Sequence, residues 1–206
     1  QEMVENLSAG GHPRVAGVGL ASAPVLAELY RARDFQRVWR EQGQATDLLQ
    51  AIARSPEEGL SPSDFHDRAL TRLLGGKDLG RLTVQTRDEA DLLLTDSLLR
   101  YLHHRLFGKL DPVAVDRKLH YADPPTLEDM VMQLGAALDA PDLGEHLTHL
   151  VREPAFYARL KEGLSRYRVA AANGGWEAIP TGAKLVPGVR EPRVAALRER
   201  MRAAGE

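Results

Sequence analysis

The sequence predicts an all-α protein, a multi-helix fold of roughly eight to ten helices with no substantial sheet. Three observations carry that prediction. Apolar residues make up 43% of the 206 positions and recur every three or four residues, the period of an amphipathic helix. Aromatics are only 5%, whereas Leu, Ala and Arg, which suit a helix well, are abundant. No segment of five or more residues alternates apolar and polar as a half-buried strand would.

Taken in order, residues 1–23 are rich in Gly, Ala and Ser without a helical period and read as a flexible or loosely docked lead-in. Pro24 suits the first turn of a helix, where its missing N–H costs nothing, and Val25, Leu26, Leu29 and Tyr30 continue at helical spacing. A break is expected near Asp34. Phe35, Val38 and Trp39 start a new segment, and Ala45, Leu48, Leu49 and Ile52 make the next apolar face. Ser55-Pro56-Glu57-Glu58 reads as a short helical turn stopped by Gly59. Ser61-Pro62-Ser63-Asp64 reads as an N-cap, followed by Phe65, Ala69, Leu73 and Leu74 along one helix that ends at Gly75-Gly76. Thr86-Arg87-Asp88-Glu89 has the capping-box pattern and is expected to open the longest helix, 87–107, with Leu94, Leu98, Tyr101, Leu102 and Leu106 as its core stripe.

Asp111-Pro112, Thr126 and Asp142 are three further helix starts. Leu127, Met130, Val131, Leu134 and Leu138 form one face, and Leu143, Leu147 and Leu150 another. Pro154 starts a helix through Ala171 with Phe156, Leu160, Leu164 and Tyr167 in a row, and Asn173-Gly174-Gly175 ends it. A Gly/Pro loop with Trp176 then leads to a last helix, 192–203, carrying Val194, Leu197 and Met201.

Composition excludes several classes of function. Twenty-seven Lys and Arg against 29 Asp and Glu leave a net charge of −2, which argues against a chain built to coat nucleic acid. The chain has no cysteine, so it offers no disulfide, no Cys-ligated metal and no thiolate nucleophile. No run of 18 apolar residues exists to span a membrane. The start, Gln-Glu-Met, lacks the basic then apolar pattern of a signal peptide.

Candidate chemistry is sparse. Gly-Leu-Ser at 59–61 and 163–165 does not extend to a nucleophile elbow. His146 and His149 lie three apart on one helix face, the spacing of a metal pair, but no third ligand lies nearby in sequence. His103-His104 point about 100° apart, and His120 beside Tyr121 is isolated. The pairs Glu57-Glu58, Asp88-Glu89 and Glu128-Asp129 fall in first helical turns, where the helix dipole explains them. Arg190, Arg193, Arg198, Arg200 and Arg202 alternate with Glu191 and Glu199 and read as a solvated face. No cofactor is implied.

Three stretches together resemble the large L,D-transpeptidases of the YcbB type from Gram-negative bacteria. In 29–74 these are Tyr30, Arg33, Phe35 and Trp39, then Gly59, Leu60, Pro62, Asp64, Phe65 and His66. In 90–112 the stretch ADLLLTDSLLRYLHHRLFGKLDP is similar to that family's central helix. In 153–204 Gly174-Gly175-Trp176, Ile179-Pro180, Pro187-Gly188, Arg193-Val194 and Leu197-Arg198 recur in the family's order and spacing, with Val189, Arg190 and Glu191 departing from its usual turn. The resemblance implies a non-catalytic helical scaffold domain, 24–172. After it come a Gly/Pro loop and the first helix of an incomplete peptidoglycan-binding domain, 173–206. It also implies a periplasmic setting and a role in 3→3 cross-linking and wall remodelling, with peptidoglycan as partner and a Cys-dependent catalytic domain in cis if the natural chain is longer.

The family's cysteine nucleophile has no counterpart here, so no catalytic residue carries over and the chain is expected to be inactive by itself. It reads as an N-terminal portion of a longer protein or a truncated relative. For a saccharide contact the expected cluster is Trp176 with Tyr157, Tyr167 and Arg168, an aromatic plane beside polar donors. An exposed Trp176 favours that role. A buried one makes it a plug for the preceding helix. The alternative is a free-standing helical protein-interaction module.

Overall fold

Local caps set most of the helix boundaries. The computed structural model describes residues 13–20, 22–110, 112–116, 125–151 and 154–204. Most of the lead-in, together with Asp111, His120 and Tyr121, lies outside them. The helices are α1 (Ala23–Ala32), α2 (Gln42–Arg54), α3 (Asp67–Leu74), α4 (Val84–Leu106), the single turn α5 (Pro112–Val115), α6 (Leu127–Leu138), α7 (Leu143–His149), α8 (Ala155–Ala172) and α9 (Pro192–Ala204). Thr126 caps α6 in a reciprocal box with Asp129, and Asp142 caps α7 by accepting from the Glu145 amide.

Three local expectations are corrected. Part of the lead-in is ordered: β1 (Arg14–Val15) and β2 (Val18–Gly19) pair antiparallel across Ala16-Gly17, both at positive φ, as a tight hairpin requires. Val15 and Leu20 bury themselves in the core, which holds this hairpin in place. The long helix starts at Val84, three residues before the expected position 87, because the Thr83 side chain accepts from the Thr86 amide and so takes the cap. The helix expected after Ser61 is interrupted: a 3₁₀ turn at Pro62–Phe65 is followed by His66 at φ 59°, and only then by α3.

The chain divides into two units, Gln1–Arg152 and Glu153–Glu206. In the first, α4 is the hub. It touches α1, α2, α3, α6 and β1. Ala90 through Leu99 are all buried, so the expected single stripe becomes a helix enclosed on every side. Trp39, Leu26, Leu48, Phe65, Leu70, Leu134 and Leu143 complete this core. Leu127, expected on the buried face of α6, is 45% exposed.

The second unit holds α8, the Gly/Pro loop and α9. The boundary therefore falls before α8 rather than at the expected 172/173. Neither α8 nor α9 has a buried residue. The expected apolar row of α8 is in place along the helix, yet Phe156, Leu160 and Tyr167 are 59%, 63% and 56% exposed.

Candidate functional site

The aromatic site foreseen from sequence lies in the C-terminal unit. Tyr167, near the end of α8, meets Trp176 edge-on with ring centroids 5.3 Å apart and an interplanar angle of 86°. The chain reverses between them because Gly174 and Gly175 both take positive φ, a conformation that glycine reaches at no steric cost. Trp176 is half-buried, neither the free plane nor the fully enclosed plug of the two expectations. One face carries the Arg200 guanidinium at 3.6 Å from the ring centroid, a close cation–π stack. Arg200 Nη1 is buried without a hydrogen-bond partner.

Of the other expected members, Tyr157 sits under Lys161 Nζ, 5.9 Å from its ring centroid. Ten residues separate it from Tyr167, about 15 Å along the helix, so it does not join the Trp176 cluster. Arg168 follows Tyr167 on α8 and is exposed. The cluster that forms is Tyr167, Trp176 and Arg200. Sequence reading assigned Arg200 to a solvated face.

Arg193 fixes the same loop. Its Nη2 donates to the Ala183 carbonyl at 2.7 Å and pairs with Glu191 at 2.5 Å. The guanidinium lies so close over Gly182 that a Cβ there would stand 2.5 Å from Arg193 Cζ. Gly182→Ala is therefore expected to push Arg193 off the Ala183 carbonyl, a loss of about 1 kcal/mol or about fivefold faster amide exchange in the loop. Arg193→Ala should produce the same change, and the double variant should add little to either.

In the N-terminal unit, residues singled out by the family resemblance converge on one face of α4. Asp91 accepts from the Tyr30 hydroxyl at 2.5 Å, from the Trp39 amide at 2.9 Å and from the Val38 amide at 3.3 Å. Thr95, one turn on, accepts from the Trp39 indole at 2.9 Å, lies 2.9 Å from the Tyr30 hydroxyl and donates back to the Asp91 carbonyl at 2.7 Å. Burial pushes the Asp91 carboxyl up, against the lowering effect of its three donors. Burial and the neighbouring Asp91 hold the Tyr30 hydroxyl well above the ordinary phenol range, so it stays a donor.

A second cluster follows on the same helix. Asp96 is enclosed, and its Oδ2 meets His66 Nε2 at 2.7 Å and Arg100 Nε at 2.8 Å. Burial raises this carboxyl, but the His66 and Arg100 partners outweigh it and hold it below the usual carboxylate range. His66 reaches Asp96 from its left-handed backbone position between the 3₁₀ turn and α3. Phe65 beside it packs on Tyr101 and His104, with centroids 5.5 and 5.3 Å away. Burial lowers the His104 imidazole. His146 is half-buried and His149 exposed, and no third metal ligand meets them among the described residues.

These polar groups are consumed in holding α1, the 33–41 loop and the 3₁₀ turn on α4. They define a helical domain organised on one buried, partly polar helix. A family model described as Scaffold domain matches residues 24–164, more than half of the chain, and the chain belongs to that family. No curated protein and no solved structure matches it. The match starts in the first turn of α1, takes in Tyr30, Trp39, Asp91 and Thr95, and stops within α8. Tyr167, Arg168 and Trp176 lie beyond it.

Proposed function

We propose that the chain is the non-catalytic scaffold and peptidoglycan-contacting region of an L,D-transpeptidase-like protein, placed in the periplasm and serving 3→3 cross-linking by positioning a catalytic domain. The observation that carries this reading is the Scaffold domain match over 24–164. Beside it stand the residues by which the sequence resembles that enzyme family. Tyr30, Trp39, His66 and Asp91 are the groups that lock loops onto α4, the work expected of a domain that holds others in place. The absence of cysteine from the sequence removes thioester chemistry from these residues and leaves positioning and binding. Wall contact is assigned to the C-terminal unit. It carries ten Lys and Arg against six Asp and Glu, suited to an anionic wall polymer, and presents Trp176 and Tyr167 beside guanidinium donors.

The test is co-sedimentation with purified peptidoglycan sacculi. The chain is expected in the pellet, and Trp176→Ala with Arg200→Glu is expected to lower the pelleted fraction several-fold. A chain that stays wholly in the supernatant defeats the wall-contact reading. The exposed row Phe156, Leu160 and Tyr167 favours a second reading, a helical module that binds a protein partner. Under it, sacculi are ignored and Leu160→Asp abolishes capture of the partner.

A further inference from the structure

The 33–41 loop and the end of α6 line an open pocket of about 420 Å³. It belongs wholly to the N-terminal unit and is independent of the wall-contact reading. Its walls are pinned. Arg33 forks onto Asp139 with Nη1–Oδ1 at 3.0 Å and Nη2–Oδ2 at 2.7 Å. Arg37 Nε donates to Asp88 Oδ1 at 2.5 Å, and Gln44 Nε2 donates to the Leu138 carbonyl at 3.1 Å. At its lip the backbone turns through Asp34 and Phe35 at φ 52° and 57°, two consecutive non-glycine residues in the left-handed region. Side chains are held in such a conformation only when their surroundings over-determine it, and functional sites collect such strain.

Pairing inside the pocket leaves three charges over. Arg33 is neutralised by Asp139, and Arg37 by Asp88. Arg40, Asp34 and Glu41 also line the cavity, and none of their side chains makes a hydrogen bond or ion pair among the described residues. An isolated surface charge calls for no ligand. Here one guanidinium and two carboxylates border a single preformed cavity of the size that holds small ligands. A simple anion would meet both carboxylates, and a simple cation would meet Arg40.

We propose that this pocket binds a free amino acid or short peptide carrying one carboxylate and one or two ammonium groups, the carboxylate on Arg40 and the ammonium groups on Asp34 and Glu41. A guanidinium fork matches a carboxylate in two hydrogen bonds, and an ammonium is satisfied by acceptor-only carboxylates.

The experiment is an amide-shift titration of the full ¹⁵N-labelled chain with the dipeptide Ala-Lys, with Ala-Lys amide, and with Ala-norleucine. Saturable shifts at millimolar dipeptide are expected at 33–44 and in the last turn of α6. The amide and the norleucine peptide should each bind at least about tenfold more weakly, about 1.4 kcal/mol. Arg40→Gln should erase the preference for the free carboxylate while keeping that for lysine. Asp34→Asn, which tolerates the left-handed backbone, should reduce the lysine preference while keeping the other. Both side chains are exposed, and an otherwise unchanged amide spectrum verifies the fold. Absence of saturable shifts with Ala-Lys overturns the proposal. So do equal binding of the amide form and a carboxylate preference that survives Arg40→Gln.

Discussion

Replacing Asp91 by alanine is expected to destabilise the N-terminal unit by about 3 kcal/mol or more, read as a lowered urea midpoint with an unchanged slope. The reason lies in what the carboxylate serves. It takes the Tyr30 hydroxyl and the Trp39 and Val38 amides, all buried; the two amides would be left without an acceptor, and the Tyr30 hydroxyl would keep only Thr95 Oγ1. An unsatisfied buried donor costs about 1–3 kcal/mol. Asp91→Asn should recover only part of the loss, since one carboxamide oxygen cannot replace two carboxylate oxygens that take three donors. Tyr30→Phe removes one donor with its bond and should cost about 1 kcal/mol. Wild-type stability in Asp91→Ala would mean that the loop at 33–41 is held without this acceptor, by Trp39 packing, its bond to Thr95 and the Arg33 and Arg37 ion pairs.

Asp96 yields the second large effect, and it depends on pH. Asp96→Ala leaves His66 and Arg100 without their shared carboxylate and should cost about 3 kcal/mol near neutrality. The sign of the acid dependence follows from the direction of the shift. The folded carboxyl lies below its ordinary value of 3.8, so the unfolded chain binds this proton more readily. The stability it contributes is fully present above that ordinary value and drains away as pH falls through the lower folded value. Urea midpoints measured from neutral pH down to about pH 2 should therefore lose this component in Asp96→Asn. Asp91 works in the opposite sense. Its folded carboxyl is raised, so the part of its contribution that is linked to protonation is present below 3.8 and is lost as pH rises through the folded value, while its hydrogen bonds to Tyr30, Val38 and Trp39 remain. Asp91→Asn should accordingly steepen the acid loss while Asp96→Asn flattens it. Equal acid limbs in the two variants would contradict the opposite environments assigned to these carboxylates.

The two carboxylates also show where sequence reading stops. Asp91 and Asp96 sit in the stretch that resembles the transpeptidase family, yet nothing in helical periodicity separates them from the partly exposed acids at Asp88 and Glu89. Their donors come from far along the chain: Trp39 is 52 residues before Asp91, and His66 is 30 before Asp96. Only packing against α4 from several directions makes these acids internal. The same holds for the site in the C-terminal unit. Sequence proximity offers Tyr157 and Tyr167 alike beside Trp176, and the Gly-Gly turn is what brings Tyr167 to it. Arg200 was not legible, because an arginine in a charge-alternating helix carries no local mark of stacking on an indole. The pocket at 33–41 was missed for a third reason. The break near Asp34 was visible, but a break does not say which charges are paired across it.

What the sequence by itself determined is what neighbouring residues decide among themselves. It set the all-α class through apolar spacing, the caps at Thr126 and Asp142, the stops at Gly59 and Gly75, and the lack of any thiol chemistry. Tertiary structure alone decided the rest. It chose α4 as the enclosed helix, placed two acids inside it, ordered the 13–20 hairpin, and left the apolar row of α8 in solvent. The physical reason is that a helix cap or a glycine stop is settled over three or four residues by hydrogen bonds and φ. Burial, ion pairing and stacking are settled by whichever surfaces the whole chain brings together.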